Sequence, residues 1–479
     1  MESPQGLRFA LPQLLSLAVQ DFAPENAKKC SYLPHGENFL KSVAFSPDGT
    51  CLLSTSEDAV LRVFEVPADA LAAGQGDGGS HGGGSSAGND GGARAPAPQR
   101  LATEWRACLS SVEGETIYDS AWYPHMTSQN PATCVFISTC RDHPIHMWDA
   151  FTGALRATYR AYDHMDEISA ANSVCFNACG DRILAGYNRM VRIFDTANPG
   201  RDFEARPTSK TRRTRDGQRG IISAMAACPD GSGLFAAGSY SGTICLYSEK
   251  NRGGVVELPA EMGGITQVKF APDGWHLFSG ARKDPKIMCW DVRKPGQPLG
   301  CFHRKADTNQ RIAFDIDPAG HLLVSGGTDG RVSVFDLATG ATVDCPGFER
   351  QPDCVNGVSL HPLAPLLALS TGQRHYAGAD ACGDGGESGS GVGSGGAGSS
   401  AGGSEESRCG GGGGGGGGIT GGGDGGDGGD AGGADGGAGG AGSNATDTET
   451  DSDEEGGERN AIRLYRVGLG SGTCKSWIP

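Results

Sequence analysis

Apolar and polar positions recur along the chain in one order: an apolar strand, a Pro/Asp/Gly turn, a second apolar strand, a polar turn, and a third strand that ends on an aromatic. The clearest copies are VAFSPDGTCLLSTSEDAVLRVFEV from Val43, SVCFNACGDRILAGYNRMVRIFDT from Ser173, VKFAPDGWHLFSGARKDPKIMCWDV from Val268 and FDIDPAGHLLVSGGTDGRVSVFDL from Phe314. Short apolar runs bounded by turn residues mark strands. Asp-Gly between two such runs sets a tight turn, because Gly takes positive φ freely and the Asp side chain bonds nearby backbone N–H groups. The closing aromatics are Phe64, Trp148, Phe194, Tyr247, Trp290, Phe335 and Tyr465, and where no insertion intervenes they fall 43 to 53 residues apart.

Three strands per repeat, with a fourth from the segment that follows, make a four-stranded unit. Seven units at this period, several closing on Trp-Asp or Phe-Asp, predict an all-β, seven-bladed WD-repeat β-propeller. Seven blades need roughly 300 residues, so the 479 residues read as one domain with insertions. The blades are expected to begin near Phe39, Thr116, Asn172, Gly220, Gly264, Asn309 and Cys354. The propeller is assigned to residues 30–376, interrupted by a disordered loop at 71–98, then a disordered Gly-rich acidic insertion at 377–459, with 460–479 supplying the final strand or strands of blade seven. An open sheet edge invites aggregation, so the ring must close. Residues 1–29 are given that role through a strand at 12–22, with TCKSWI near the C-terminus as the rival.

Composition refines this picture in three places. The 80 glycines concentrate in two low-complexity stretches, which cannot bury enough apolar surface to offset the entropy of ordering. Residues 377–459 carry 16 acidic and 2 basic side chains, so most of the formal charge of -16 belongs to the insertion and the propeller body is near neutral. A near-neutral body does not exclude an anionic partner. The 16 cysteines form no CxxC pair, and Cys51, Cys134, Cys175, Cys245 and Cys289 sit singly in predicted strands, so they read as reduced core thiols rather than zinc ligands. The run RFALPQLLSLAV from Arg8 resembles a short signal-peptide core but has a poor positive flank, and reads as a strand.

The repeat register decides what faces where. In such a ring the a-to-b and c-to-d connections share one face, and the b-to-c and d-to-a connections share the other. Asp48-Gly49, Asp230-Gly231 and Asp273-Gly274 fall on the first and read as turn chemistry alone. On the second, Asp58, Asp142, Asp284 and Asp329 occupy the turn-fixing position. Their basic and aromatic neighbours have no such task. Arg141, Arg189, Tyr240, Arg282 and Lys283 are expected to converge there with Tyr162, His164, Arg219, Asn309 and Arg311. Guanidiniums interspersed with aromatics suit phosphate contacts and stacking on unpaired bases. A further basic cluster, Arg206, Lys210, Arg212, Arg213, Arg215 and Arg219, could follow a nucleic-acid backbone.

Five runs match more than a generic propeller: GETIYDSAWYP from Gly114, RDHPIHMWDAFTGALRATYRAYDHMDE from Arg141, NRMVRIFDTANPGRD from Asn188, GGITQVKFAPDGWHLFSGARKDPKIMCWDVR from Gly263 and TNQRIAFDIDP from Thr308. They include turns and rims as well as core strands, and they closely resemble the telomerase Cajal body protein family over residues 38–376 and 460–467. The resemblance implies a nuclear RNA-binding scaffold in the Cajal body. It would recognise the CAB-box loop of small Cajal-body guide RNAs and of telomerase RNA, contact H/ACA ribonucleoprotein proteins, and fold with the help of the cytosolic chaperonin. The two glycine-rich insertions depart from the family pattern.

An enzyme is the weakest reading. The Gly-rich stretches lack the strand and helix that flank a phosphate loop, and neither a Ser/His/Asp set nor a metal-spaced His cluster gathers on one face; no cofactor is implied. The other serious reading is a protein-only adaptor, for which Trp290-Asp291-Val292-Arg293 resembles the WDxR end of substrate receptors in cullin ubiquitin ligases.

Overall fold

A computed structural model describes residues 13–19, 38–72, 103–209, 217–251, 254–260, 262–345, 348–374 and 460–467. All of these lie in one compact unit, residues 1–377 with 451–479; the other unit, 378–450, falls outside the described residues. Most of both low-complexity stretches, together with Lys210, Arg212, Arg213, Arg215 and the TCKSWI segment, also falls outside them. Residues 71 and 72, read from sequence as loop, end a short helix, Ala68–Ala72.

The described strands form seven sheets in ring order, six antiparallel sheets of four strands and one of five with a single parallel pair. Blade five is representative: Ile265–Phe270, His276–Ala281, Lys286–Asp291 and Gly300–His303 are its strands a to d, from the channel outwards. Among the described residues the core lies between blades, as seven clusters that each join two neighbours, with a small eighth of Ala306, Ile312 and Cys354. Between blades five and six, for instance, Phe278, Ile287 and Phe302 pack on Phe314, Leu323 and Phe335. Every closing aromatic of the repeat is buried, from Phe194 at 0% exposure to Trp148 at 9%, which makes these side chains inter-blade wedges. The a-to-b turns follow their expected chemistry. Asp230 Oδ1 accepts from Ser232 N at 2.8 Å and Asp273 Oδ1 from Trp275 N at 2.8 Å, each beside a glycine at φ near 73°, Gly231 at 72° and Gly274 at 74°.

Ring closure falls in blade seven, where Val355–Leu360 and Leu366–Thr371 are followed by Ala461–Arg466 from beyond the insertion. Gln13–Val19 takes the outer position, antiparallel to Ala461–Arg466, and Leu15 packs into the cluster shared by blades one and seven. Thr103–Glu104, from the connection within blade one, then adds a fifth strand parallel to it. Two separate segments thus cover an edge that would otherwise expose unpaired backbone.

Candidate functional site

Alternation along each inner strand sends every second side chain towards the central channel. Most are small or apolar, but four strands carry a charge amid apolar residues: Lys41 in Leu40–Phe45, Asp119 in Ile117–Trp122, Lys269 in Ile265–Phe270 and Asp315 in Phe314–Ile316. Lys269 pairs with Asp315. Asp119 Oδ1 accepts from Arg311 Nη1 at 2.9 Å, linking blade two to blade six, while its Oδ2 accepts from Val174 N of blade three at 3.0 Å. Burial alone would lower the pKa of Arg311, but the charge of Asp119 outweighs it and holds the guanidinium above its ordinary value.

At the b-to-c and d-to-a end the channel opens into a cavity of about 570 Å³. Its charged lining is Lys41, Arg282, Arg311 and Arg374 against Glu57 and Asp119, a formal excess of two positive charges. Glu57, 3% exposed, accepts from Lys41 Nζ at 2.5 Å and also from Arg374. Burial holds the Lys41 ammonium below its ordinary pKa despite Glu57. Tyr118 and Asn309 also line the cavity, and Arg141 Nε reaches the Tyr118 hydroxyl at 3.4 Å. At the mouth the Arg282 guanidinium lies 3.6 Å from the centre of the Tyr240 ring, and Tyr240 is 39% exposed.

The ten residues expected to converge therefore divide. Arg282, Asn309 and Arg311 line the cavity, Tyr240 joins it through Arg282, and Arg141 joins it through Tyr118. Lys283 stands beside it, exposed at φ 49°, with its N–H on Thr308 O at 2.9 Å. The rest are held elsewhere. Arg189 bonds Ser209 Oγ at 2.8 Å; Arg219 is not part of the cavity lining, although its carbonyl accepts from Ser241 Oγ at 2.7 Å next to Tyr240. Tyr162 lies beneath Arg201 at 3.8 Å, in a hairpin next to the outer strand Leu155–Tyr159. His164 is 84% exposed and faces Asp163 at 3.9 Å. The sequence placed these in a common class of connection, but such connections run the full width of a blade, so a shared face does not mean a shared site. Arg206 departs further. It is 3% exposed on outer strand Glu204–Pro207, bonded to Glu204 and to the Ser248 carbonyl at 2.6 Å, and has no free donor face for a nucleic-acid backbone.

Lys41, Glu57, Tyr118, Asp119 and Arg374 escaped the sequence reading. For Lys41 and Asp119 the available signal was a charge inside an otherwise apolar inner strand. The WDxR segment is engaged by its own chain: Trp290 is 1% exposed with Nε1 on Ser279 Oγ at 3.0 Å. Arg293 holds the Asp291 carboxylate with two bonds of 2.9 Å and covers Trp275 at 4.2 Å. Among the described residues no cluster of His, Cys, Asp and Glu has metal-binding geometry. Cations, amides and an exposed ring around an open cavity suit an anionic ligand with planar groups.

The family model described as "WD domain, G-beta repeat" matches residues 28–65, 209–248 and 297–336, and with seven blades in a closed ring the chain is a WD-repeat propeller protein. Among curated relatives, Telomerase Cajal body protein 1 of Rattus norvegicus is 43% identical over 79% of this chain and 65% of its own length. The Homo sapiens protein of that name is 42% identical over 79% and 63%, and the Drosophila melanogaster homolog is 38% identical over 80% and 65%. The chain is similar to these telomerase Cajal body proteins, and its aligned region spans a little under two thirds of their length.

Proposed function

We propose that this propeller is an RNA-binding scaffold of small Cajal-body and H/ACA ribonucleoproteins in the nucleus. It engages the CAB-box loop of guide RNAs, and of telomerase RNA, at the cavity on the b-to-c face. The observation that carries this reading is the exposed Tyr240–Arg282 stack at the mouth of a cavity with net positive lining. A splayed base stacks on the ring, and its phosphates lie against Arg282 and Lys283. Base–aromatic stacking contributes ~1–3 kcal/mol, and each phosphate contact adds a salt-dependent increment. The names of the relatives support the Cajal-body setting and a link to telomerase; H/ACA proteins and the cytosolic chaperonin are the further partners this reading predicts.

The test combines ultraviolet crosslinking in cells, which must recover small Cajal-body RNA, with direct binding of that RNA to purified protein. Tyr240→Ala should weaken binding roughly five- to hundredfold, as stacking energy of this size implies. Wild-type affinity in a folded Tyr240→Ala protein would remove the stack from the site.

A further inference from the structure

The cavity accounts for a few unpaired nucleotides, and the charge around it indicates where the remaining RNA runs. On the blade-two side exposed charges of both signs mix, Asp142, Asp163, Asp166 and Glu167 with Arg141 and Arg160, and Asp166 is paired with Arg201 at 2.5 Å. On the blade-five side, apart from the exposed Asp307, four basic groups are exposed: Lys283, Lys286, His303 and Lys305. These four are contiguous. Lys283 is joined to the next connection through Thr308 at 2.9 Å, Lys286 and His303 are direct partners on adjacent strands, and Arg304 N bonds the Pro285 carbonyl at 2.8 Å. No ion pair holds Lys283, Lys286 or Lys305 among the described residues. The ridge begins at the cavity residue Arg282 and ends on the outermost strand of the blade, Gly300–His303.

We infer that the RNA backbone leaves the cavity over blade five, along the unpaired cations Lys283, Lys286 and Lys305, rather than over the mixed charges of blade two. This rests on the cavity being the RNA site. Strands c and d place Lys286 beside His303, and a phosphate strand laid on the ridge releases counterions without displacing an internal salt bridge. A loop presented on a helical stem would place its stem over the outer wall of blades five and six.

The experiment compares two probes on the full chain. One is a pool of unpaired RNA tetranucleotides; the other is the same tetranucleotides in the loop of a hairpin with a ten-base-pair stem. In Lys286→Ala with Lys305→Ala, hairpin affinity should fall at least tenfold at low salt. Its salt slope should drop by roughly 1.4 to 1.8, about 0.7 to 0.9 for each lost phosphate contact. Tetranucleotide binding should be unchanged. Hairpin binding equal to wild type would overturn the path and leave the cavity standing. Equal weakening of both probes would place the two lysines in the cavity contact itself and also overturn the path. If neither probe bound the wild-type protein, the cavity reading would fail and the path with it.

Discussion

Around blades one and two, the buried charged groups of the cavity-bearing face are bonded to their own chain. Glu113, 3% exposed, receives His146 Nδ1 at 2.8 Å, Trp148 Nε1 at 3.2 Å and the Ser138 hydroxyl. Asp58 receives Arg62 at 2.5 Å, and Glu57 receives Lys41 and Arg374. Around blades five and six the same types of connection carry Lys283, Lys286 and Lys305, all exposed. Burial separates the two sectors. A buried charge must be paired or it opposes folding, so on blades one and two the charges became structural. An exposed cation can stay unpaired at little cost and remain available to a ligand. Mutations in the first sector should therefore change stability, and mutations in the second should change binding.

The largest expected effect tests whether this division reaches the core of the binding sector. Trp290 fills the interface between blades four and five. Trp290→Ala should cost about 3–5 kcal/mol, as truncation of a large buried aromatic does. Urea unfolding followed by circular dichroism measures it. A variant that kept its urea midpoint while losing a ligase adaptor in pull-down would make Trp290 a docking residue and revive the adaptor reading.

Next in size is Glu113→Gln, which sharpens the contrast through pH. Burial raises the pKa of Glu113, but the hydrogen bond and charge of His146, with Ser138 and Cys140, outweigh it and hold the carboxyl below its ordinary value of 4.5. A carboxylate with a depressed folded pKa adds stability above its unfolded pKa and loses it as pH falls through the folded value. The deficit of Glu113→Gln should be about 1–3 kcal/mol near neutrality, the cost of buried donors left without their charged partner. It should stay flat down to about pH 5 and shrink below that. A deficit independent of pH would mean that the carboxylate charge contributes nothing.

The two sectors were not equally legible in the sequence. The wedge aromatics from Phe64 to Tyr465 could be read because each repeat places one at the end of an apolar strand. The shortest outer strands could not. Thr342–Val343 and Thr103–Glu104 are two residues long and carry no apolar period. Binding residues on turns, such as Arg282 and Asn309, were found because basic and amide side chains stand out beside a turn-fixing Asp. Lys41 and Asp119 were missed because their role depends on strands brought together from blades far apart in sequence; Asp119 and Arg311 are 192 positions apart. Tyr162 and His164 were grouped with the cavity because the sequence gives the face of a connection but not its radius from the axis.

Within the binding sector, Arg282→Ala with Lys283→Ala should change stability less than the two substitutions above, since Lys283 is exposed, where substitutions usually fall within about ±0.5 kcal/mol, and Arg282 is only half-buried against Tyr240. The salt slope of RNA binding should fall by roughly 0.7 to 0.9 per lost phosphate contact. Binding across a potassium chloride series supplies the slope and thermal melting supplies the control. A large loss of stability with an unchanged slope would place these residues with the structural charges of blades one and two.

The smallest effect on folding is expected from replacing residues 377–459 with a short linker. The insertion joins Leu366–Thr371 to Ala461–Arg466 and so leaves and re-enters the propeller on the cavity-bearing face, with Gln373 and Arg374 in the cavity lining. Loop-closure entropy grows only with the logarithm of length, about 0.6 kcal/mol per doubling, so stability should change little. The insertion carries 16 acidic and 2 basic side chains, and the described residues before it, Gln373 and Arg374, line the cavity that holds four cations. Thr448, Thr450 and Ser452 precede acidic residues in the pattern acidophilic kinases favour, and phosphorylation would add negative charge there. Excision should therefore raise RNA affinity at low salt, more strongly against the kinase-treated full chain, and the gain should shrink at high salt as screening shortens the reach of the charges. The measurement is RNA affinity of both proteins, with and without kinase treatment, at two salt concentrations. Equal affinity in every state would make the insertion a spacer and leave the basic sector open to RNA at all times.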